Sequence, residues 1–169
     1  MAPAWFRACE SGVAAVNRWF LAAAALLVLL IVGIILFDVI SRSVFNAPTL
    51  WAFDVARFIL LYATFLGLAP ALESGGHVVV DMFDPLLPKP IRPVIPFLAA
   101  GLTVVFGFIL FWQIAAHARE AFADGRIAQA TIAVPEMWVW LPAPIGTALF
   151  VAVAAVQFGR AIWPASADG

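Results

Sequence analysis

Charge is the scarcest property of this sequence. Of its 169 residues, 11% are Asp, Glu, Lys or Arg, where an ordinary soluble domain carries about 25%. Hydrophobic residues make up 65%, and the mean hydropathy is +1.06. A soluble fold of this length leaves too much of its chain facing water to hide so much apolar surface. Lipid is therefore the solvent for most of the molecule, which excludes a soluble enzyme, a secreted disulfide scaffold and a disordered chain. The single cysteine, Cys9, allows neither an internal disulfide nor a cysteine metal cluster. Nine basic against ten acidic residues, with a pI near 6.0, give no footprint for nucleic acid.

What is abundant is long uncharged runs. Residues 19–37 (WFLAAAALLVLLIVGIILF) carry no charge and match the ~20 residues a helix needs to cross a bilayer. Residues 93–118 and 137–159 are two more such runs, and 50–72 is apolar except for Asp54 and Arg57. The expected fold is all-α: one integral membrane domain over 1–169, with four transmembrane helices at about 19–40, 50–72, 93–118 and 137–160. The runs are continuous rather than alternating, which excludes barrel strands. The first run is longer than a signal-peptide core and reads as an uncleaved anchor.

Tryptophans check these boundaries. Trp19, Trp51, Trp138 and Trp140 fall at span starts, and Trp112 and Trp163 towards span ends, where indoles favour the headgroup interface. Arg7, Arg18, Lys89, Arg92 and Arg160 would share one side, and Arg42, Arg119 and Arg126 the other. That bias places both termini in the cytoplasm. Before the first span, Trp5, Cys9, Val13, Val16 and Phe20 recur at helical spacing, which suits a short amphipathic helix over 1–18 lying in the interface. Pro85, Pro88 and Pro90 forbid one long helix between spans two and three.

Few groups could carry chemistry. Asp54 and Arg57 share a face of span two at i, i+3, with Arg57 about 9 Å along the helix from Trp51. The pair could relay an ion. It could equally be a local ion pair or a contact to another helix or subunit, with Arg57 snorkelling outward. Its place near one interface, with no third ionisable residue continuing a path, favours the local reading. His77 and His117 are the two histidines, and axial histidines can hold a haem. They fall on opposite membrane sides, so one haem cannot bridge them. No hydroxyl nucleophile lies beside a base, and no Gly-rich phosphate loop is present, so neither a catalytic residue nor a cofactor site is expected. Gly67, Gly101 and Gly107 permit close helix packing. Pro142 and Pro144 should bend the start of span four unless neighbours satisfy the freed carbonyls. The uncharged midplanes of spans one and three lack what a self-contained transporter uses.

RSVFNAP (42–48), WAFDVAR (51–57), FLGLAPAL (65–72) and GGHVVVDMF (75–83) follow one another in a way that resembles the small membrane subunit of tripartite ATP-independent periplasmic (TRAP) transporters, the DctQ-like family. Arg42, Trp51, Asp54, Gly67, His77 and Asp81 fall on that family's pattern, and PEMWVWLPAPIG (135–146) is similar to its Pro-rich start of the last helix, through Pro144 and Gly146. One departure is Asp54, where the family more usually has Glu. The resemblance implies an inner-membrane scaffold without cofactor, bracing a large multi-spanning subunit that uses the sodium gradient. A periplasmic receptor would deliver a carboxylate-type solute. These residues, with Arg57, would then be structural or subunit contacts. Two other classes are weighed against it: a haem or quinone anchor of an oxidoreductase, and a small stand-alone exporter.

Overall fold

The computed structural model describes residues 4–75 and 94–162, apart from 129 and 132. Among the described residues five helices follow in order: α1 (Ala4–Val44), α2 (Ala52–Gly75), α3 (Val94–Asp124), the single-turn α4 (Glu136–Trp140) and α5 (Pro142–Ile162). Four helical segments are long and apolar enough to cross a membrane, α4 and α5 together forming the fourth. The four expected spans are all there.

The N-terminal segment differs from expectation. In place of a separate interfacial helix over 1–18, α1 runs unbroken for 41 residues, about 60 Å at 1.5 Å per residue, twice the hydrocarbon thickness of ~30 Å. No proline interrupts residues 4–44, and the Ala/Leu-rich sequence favours continuation. The face of this segment that packs on neighbouring helices coincides with its apolar stripe only in part. Phe6, Asn17 and Ala24 are buried, with Glu10 and Val13 half-buried, whereas Cys9 and Val16 are exposed. Hydrophobic periodicity puts Glu10 and Asn17 on the outside; both instead find polar partners on neighbouring helices.

Helix order in space is α1–α2–α5–α3, each packing along the next. The window that defines the α4–α5 span is 39% buried, against 6% for α1. The molecule is thus a row with α5 and α2 inside, and α1 and α3 leaving large apolar flanks open. Ala69, Phe150 and Val153 form the centre, with Val13, Leu68, Leu72 and Leu149 around them. Small residues set the spacing, as is usual where lipid supplies no hydrophobic drive between helices. Ala52, Ala56, Ala63 and Ala69 of α2 are buried. A Cβ on Gly146 would collide with the Phe65 carbonyl, and one on Gly107 would lie 2.9 Å from the Phe150 ring.

Helix ends follow local chemistry. Gly125, at φ 58°, takes the left-handed conformation that commonly ends a helix just beyond α3. Asn46, at φ 53°, turns the chain after α1, and the Ser41 carbonyl accepts from the Phe45 and Ala47 N–H groups. Helical structure breaks at Leu141, between α4 and α5. Pro142 has no N–H for the Trp138 carbonyl four residues back. The Tyr62 hydroxyl of α2 donates to that carbonyl at 2.5 Å, restoring the bond from a neighbouring helix. Tyr62→Phe keeps the ring and removes only this donor. It should lower stability by roughly 1 kcal/mol, read as an earlier midpoint in detergent unfolding; an unchanged midpoint would show the bond to be idle.

Candidate functional site

Polar side chains gather at the two ends of the helices, on opposite sides of the apolar belt. At one end α1 closes onto α2 through Asp38. Its carboxylate accepts from the Thr49 backbone N–H at 3.1 Å and from the Thr49 hydroxyl, and it pairs with Arg42 one turn on. Trp51 leans on Phe37, ring centroids 6.3 Å apart. Arg42 and Trp51 therefore do come to the α1–α2 turn, but Asp38 is the group that fastens it.

Asp54 fastens α2 to a different element. Between α3 and α4 the chain makes a narrow hairpin, with Ala128 N–H donating to the Val134 carbonyl and Glu136 N–H to the Arg126 carbonyl, both at 2.9 Å. Its tip folds over the start of α2, where the Thr131 N–H donates to Asp54 Oδ2 at 2.6 Å. Asp54 is 7% exposed. The expected pair with Arg57 is present at 3.5 Å, longer than the ~2.7–2.9 Å of a strong charge-assisted bond, so the loop amide is the tighter partner. Arg126 lies 3.0 Å from Asp124 and 3.8 Å from Glu136 at the hairpin base. His117 is exposed, stacked on Trp140 at 6.3 Å and 3.8 Å from Glu120.

The other end carries both the start of α1 and the end of α5. Asn17, 2% exposed, donates to Glu73 of α2. Arg160 pairs with Glu10 at 2.7 Å, the Phe6 ring covers Gly159, and Gln157 donates to the Leu72 carbonyl at 3.0 Å. Asn17 and Asp38 are separated by 21 positions on α1 (38 − 17), about 30 Å of helix, which matches one hydrocarbon thickness. The two polar groups of contacts bracket a membrane-wide apolar belt.

Of the residues singled out from sequence, Arg42, Trp51, Asp54 and Arg57 share one end. Gly67 faces Ala24 of α1 in mid-row, where an added Cβ would sit at 3.8 Å. Pro144 and Gly146 lie at the start of α5. His77 and Asp81 lie outside the described residues. Sequence reasoning passed over Asp38, Tyr62, Glu10, Asn17 and Glu73. Asp38 had a signal, since it stands four residues before Arg42 on a helix. The others had none, because their partners are distant in the chain.

Among the described residues, no group of three or more His, Cys, Asp or Glu is placed to hold a metal ion. The polar side chains fasten helices and loops to one another. The fold and the site together define a multi-pass helical membrane protein of the packing kind. Residues 31–162 match the family described as tripartite ATP-independent periplasmic transporters, DctQ component, and the chain belongs to that family, one of transporter components and not of enzymes. It is 24% identical over 122 residues to the sialic acid TRAP transporter small permease protein SiaQ of Vibrio cholerae, covering 72% of this chain and 68% of SiaQ. It is 34% identical over 62 residues to the sialic acid TRAP transporter permease protein SiaT of Haemophilus influenzae, covering 37% of this chain and 10% of SiaT. The match to SiaT thus spans only a tenth of that permease.

Proposed function

We propose that this chain is a single membrane domain acting as the scaffold subunit of a sodium-gradient-driven importer. It would brace a large multi-spanning subunit in the bacterial inner membrane, with both termini in the cytoplasm and a periplasmic receptor delivering a carboxylate-type solute. The observation that carries this reading is the asymmetry of the row. Its polar groups are spent on internal fastening at both ends, while α1 and α3 leave apolar flanks suited to lateral packing. Supporting it, a stretch similar to this chain lies within the much longer permease SiaT. Sialic acids are carboxylates, so the relatives' printed substrate fits the solute class. Arg42, Trp51, Asp54, Arg57 and Gly67, with Pro144 and Gly146, would shape the surface that meets the partner; His77 and Asp81 would act at the cytoplasmic loop.

Co-expression with the neighbouring large membrane subunit and receptor tests the reading. Omitting this chain should reduce sodium-driven solute uptake to background and leave the large subunit poorly recovered from membranes. Unchanged uptake and recovery without it would end the scaffold proposal.

A further inference from the structure

A cavity of about 540 Å³ opens between the first turns of α2, the hairpin and α4, within the ~300–1,000 Å³ typical of small-molecule sites. Its walls carry Arg57, Arg126 and Glu136 beside Phe58, Leu61 and Trp140. Arg57 and Leu61 stand five and nine residues past Ala52, so the cavity reaches from about 8 to 14 Å along α2. The charged side chain of Arg57 thus sits nearer the start of α2, and Leu61 further along it, deeper in the span.

We propose that this cavity seats a zwitterionic aminophospholipid from the leaflet at that end of the helices, phosphate on the arginines, ammonium on Glu136 and acyl chain along Phe58 and Leu61. Three observations carry the assignment. The polar wall presents both signs, and the apolar wall continues from it towards the membrane interior. The charge arithmetic disfavours a purely anionic headgroup: Arg57 and Arg126 are accompanied by Asp54, Asp124 and Glu136, two positive against three negative groups. A zwitterion brings its own cation to that balance. Each guanidinium offers a planar fork of five N–H donors, so an arginine that already meets a carboxylate can also take a phosphate oxygen. The Trp140 indole is anchored by its N–H to Glu136 Oε1 at 3.3 Å, giving the cavity a fixed aromatic side. None of this depends on which solute the transporter carries.

Native mass spectrometry of the full purified chain in mild detergent tests the proposal, with added phosphatidylethanolamine, phosphatidylglycerol, glycerophosphoethanolamine or inorganic phosphate as probes. One phosphatidylethanolamine per chain should persist through delipidation, at least ~10-fold above phosphatidylglycerol, a preference of about one decade in affinity. Arg57→Gln with Arg126→Gln should reduce retention by about the same factor. Leu61→Trp, which fills the cavity and leaves every charge in place, should do so as well, with helical circular dichroism and elution volume unchanged. Equal or better retention of phosphatidylglycerol would overturn the zwitterion assignment. Displacement by phosphate or glycerophosphoethanolamine at equal concentration would make the ligand a free anion and overturn the lipid. Lipid held by the chain alone but expelled when the large subunit binds would give the cavity to a partner side chain, again overturning it.

Discussion

Gly146→Ala should be among the most damaging single-methyl changes in this protein. The new Cβ would overlap the Phe65 carbonyl oxygen and carbon, and backbone inside a helix cannot rotate away as a side chain can. Either α2 and α5 separate or one of them bends. Overpacking of this kind costs about 1–3 kcal/mol, and here it falls on the interface between the two inner helices. Gly67→Ala is the matched control, since its Cβ would meet Ala24 at 3.8 Å, an ordinary contact. Removing a mid-helix glycine there should be neutral or stabilising by up to ~1 kcal/mol. Unfolding midpoints of the two variants in the same detergent decide the matter. If both variants shift alike, the α2–α5 approach is looser than the geometry describes.

Asp54→Ala should release the hairpin while leaving the helices in place. The Thr131 N–H loses its acceptor, and an amide without its bond opens more readily to solvent. Its hydrogen exchange should accelerate by roughly tenfold or more, a typical consequence of losing one charge-assisted bond. Asp54→Asn keeps a carbonyl acceptor at nearly the same place and should fall between wild type and alanine. Arg57→Gln should change this amide little, because the Arg57 contact is the longer one, at 3.5 Å. Equal acceleration in Arg57→Gln and Asp54→Ala would show that the pair, not the loop amide, is the operative contact. On the proposed function, the Asp54 variants should weaken assembly with the large subunit more than any sodium dependence of the remaining uptake. Loss of sodium coupling with assembly intact would reassign Asp54 as a relay.

Much of this molecule is legible from local sequence. The four spans follow from uncharged run length, and their ends from tryptophans, prolines and the few charges, because insertion into lipid is decided segment by segment. The family pattern was carried by residues close in sequence, such as Arg42 to Asp54. The N-terminal helix was less legible. Apolar spacing marked its helicity and an apolar stripe through Cys9 and Val16 suited to the membrane interface, whereas the face packed on the other helices carries Glu10 and Asn17. A polar residue that pairs across helices is indistinguishable, in one sequence, from a polar residue facing water.

The site divides the same way. Asp54 and Arg57 were paired from their i, i+3 spacing, which fixes proximity on any helix. That Asp54 binds the Thr131 amide, 77 positions away, required the hairpin to fold over α2. That Tyr62 satisfies the carbonyl freed by Pro142 required α2 and α4 to lie side by side. Composition and run length alone established a lipid-embedded, four-span helical chain with almost nothing to spare for chemistry. Helix order, the choice of buried face and the partner of each polar group came only with tertiary packing. Those depend on contacts between distant segments, and lipid, being as apolar as the helices themselves, does not dictate which of their faces meet.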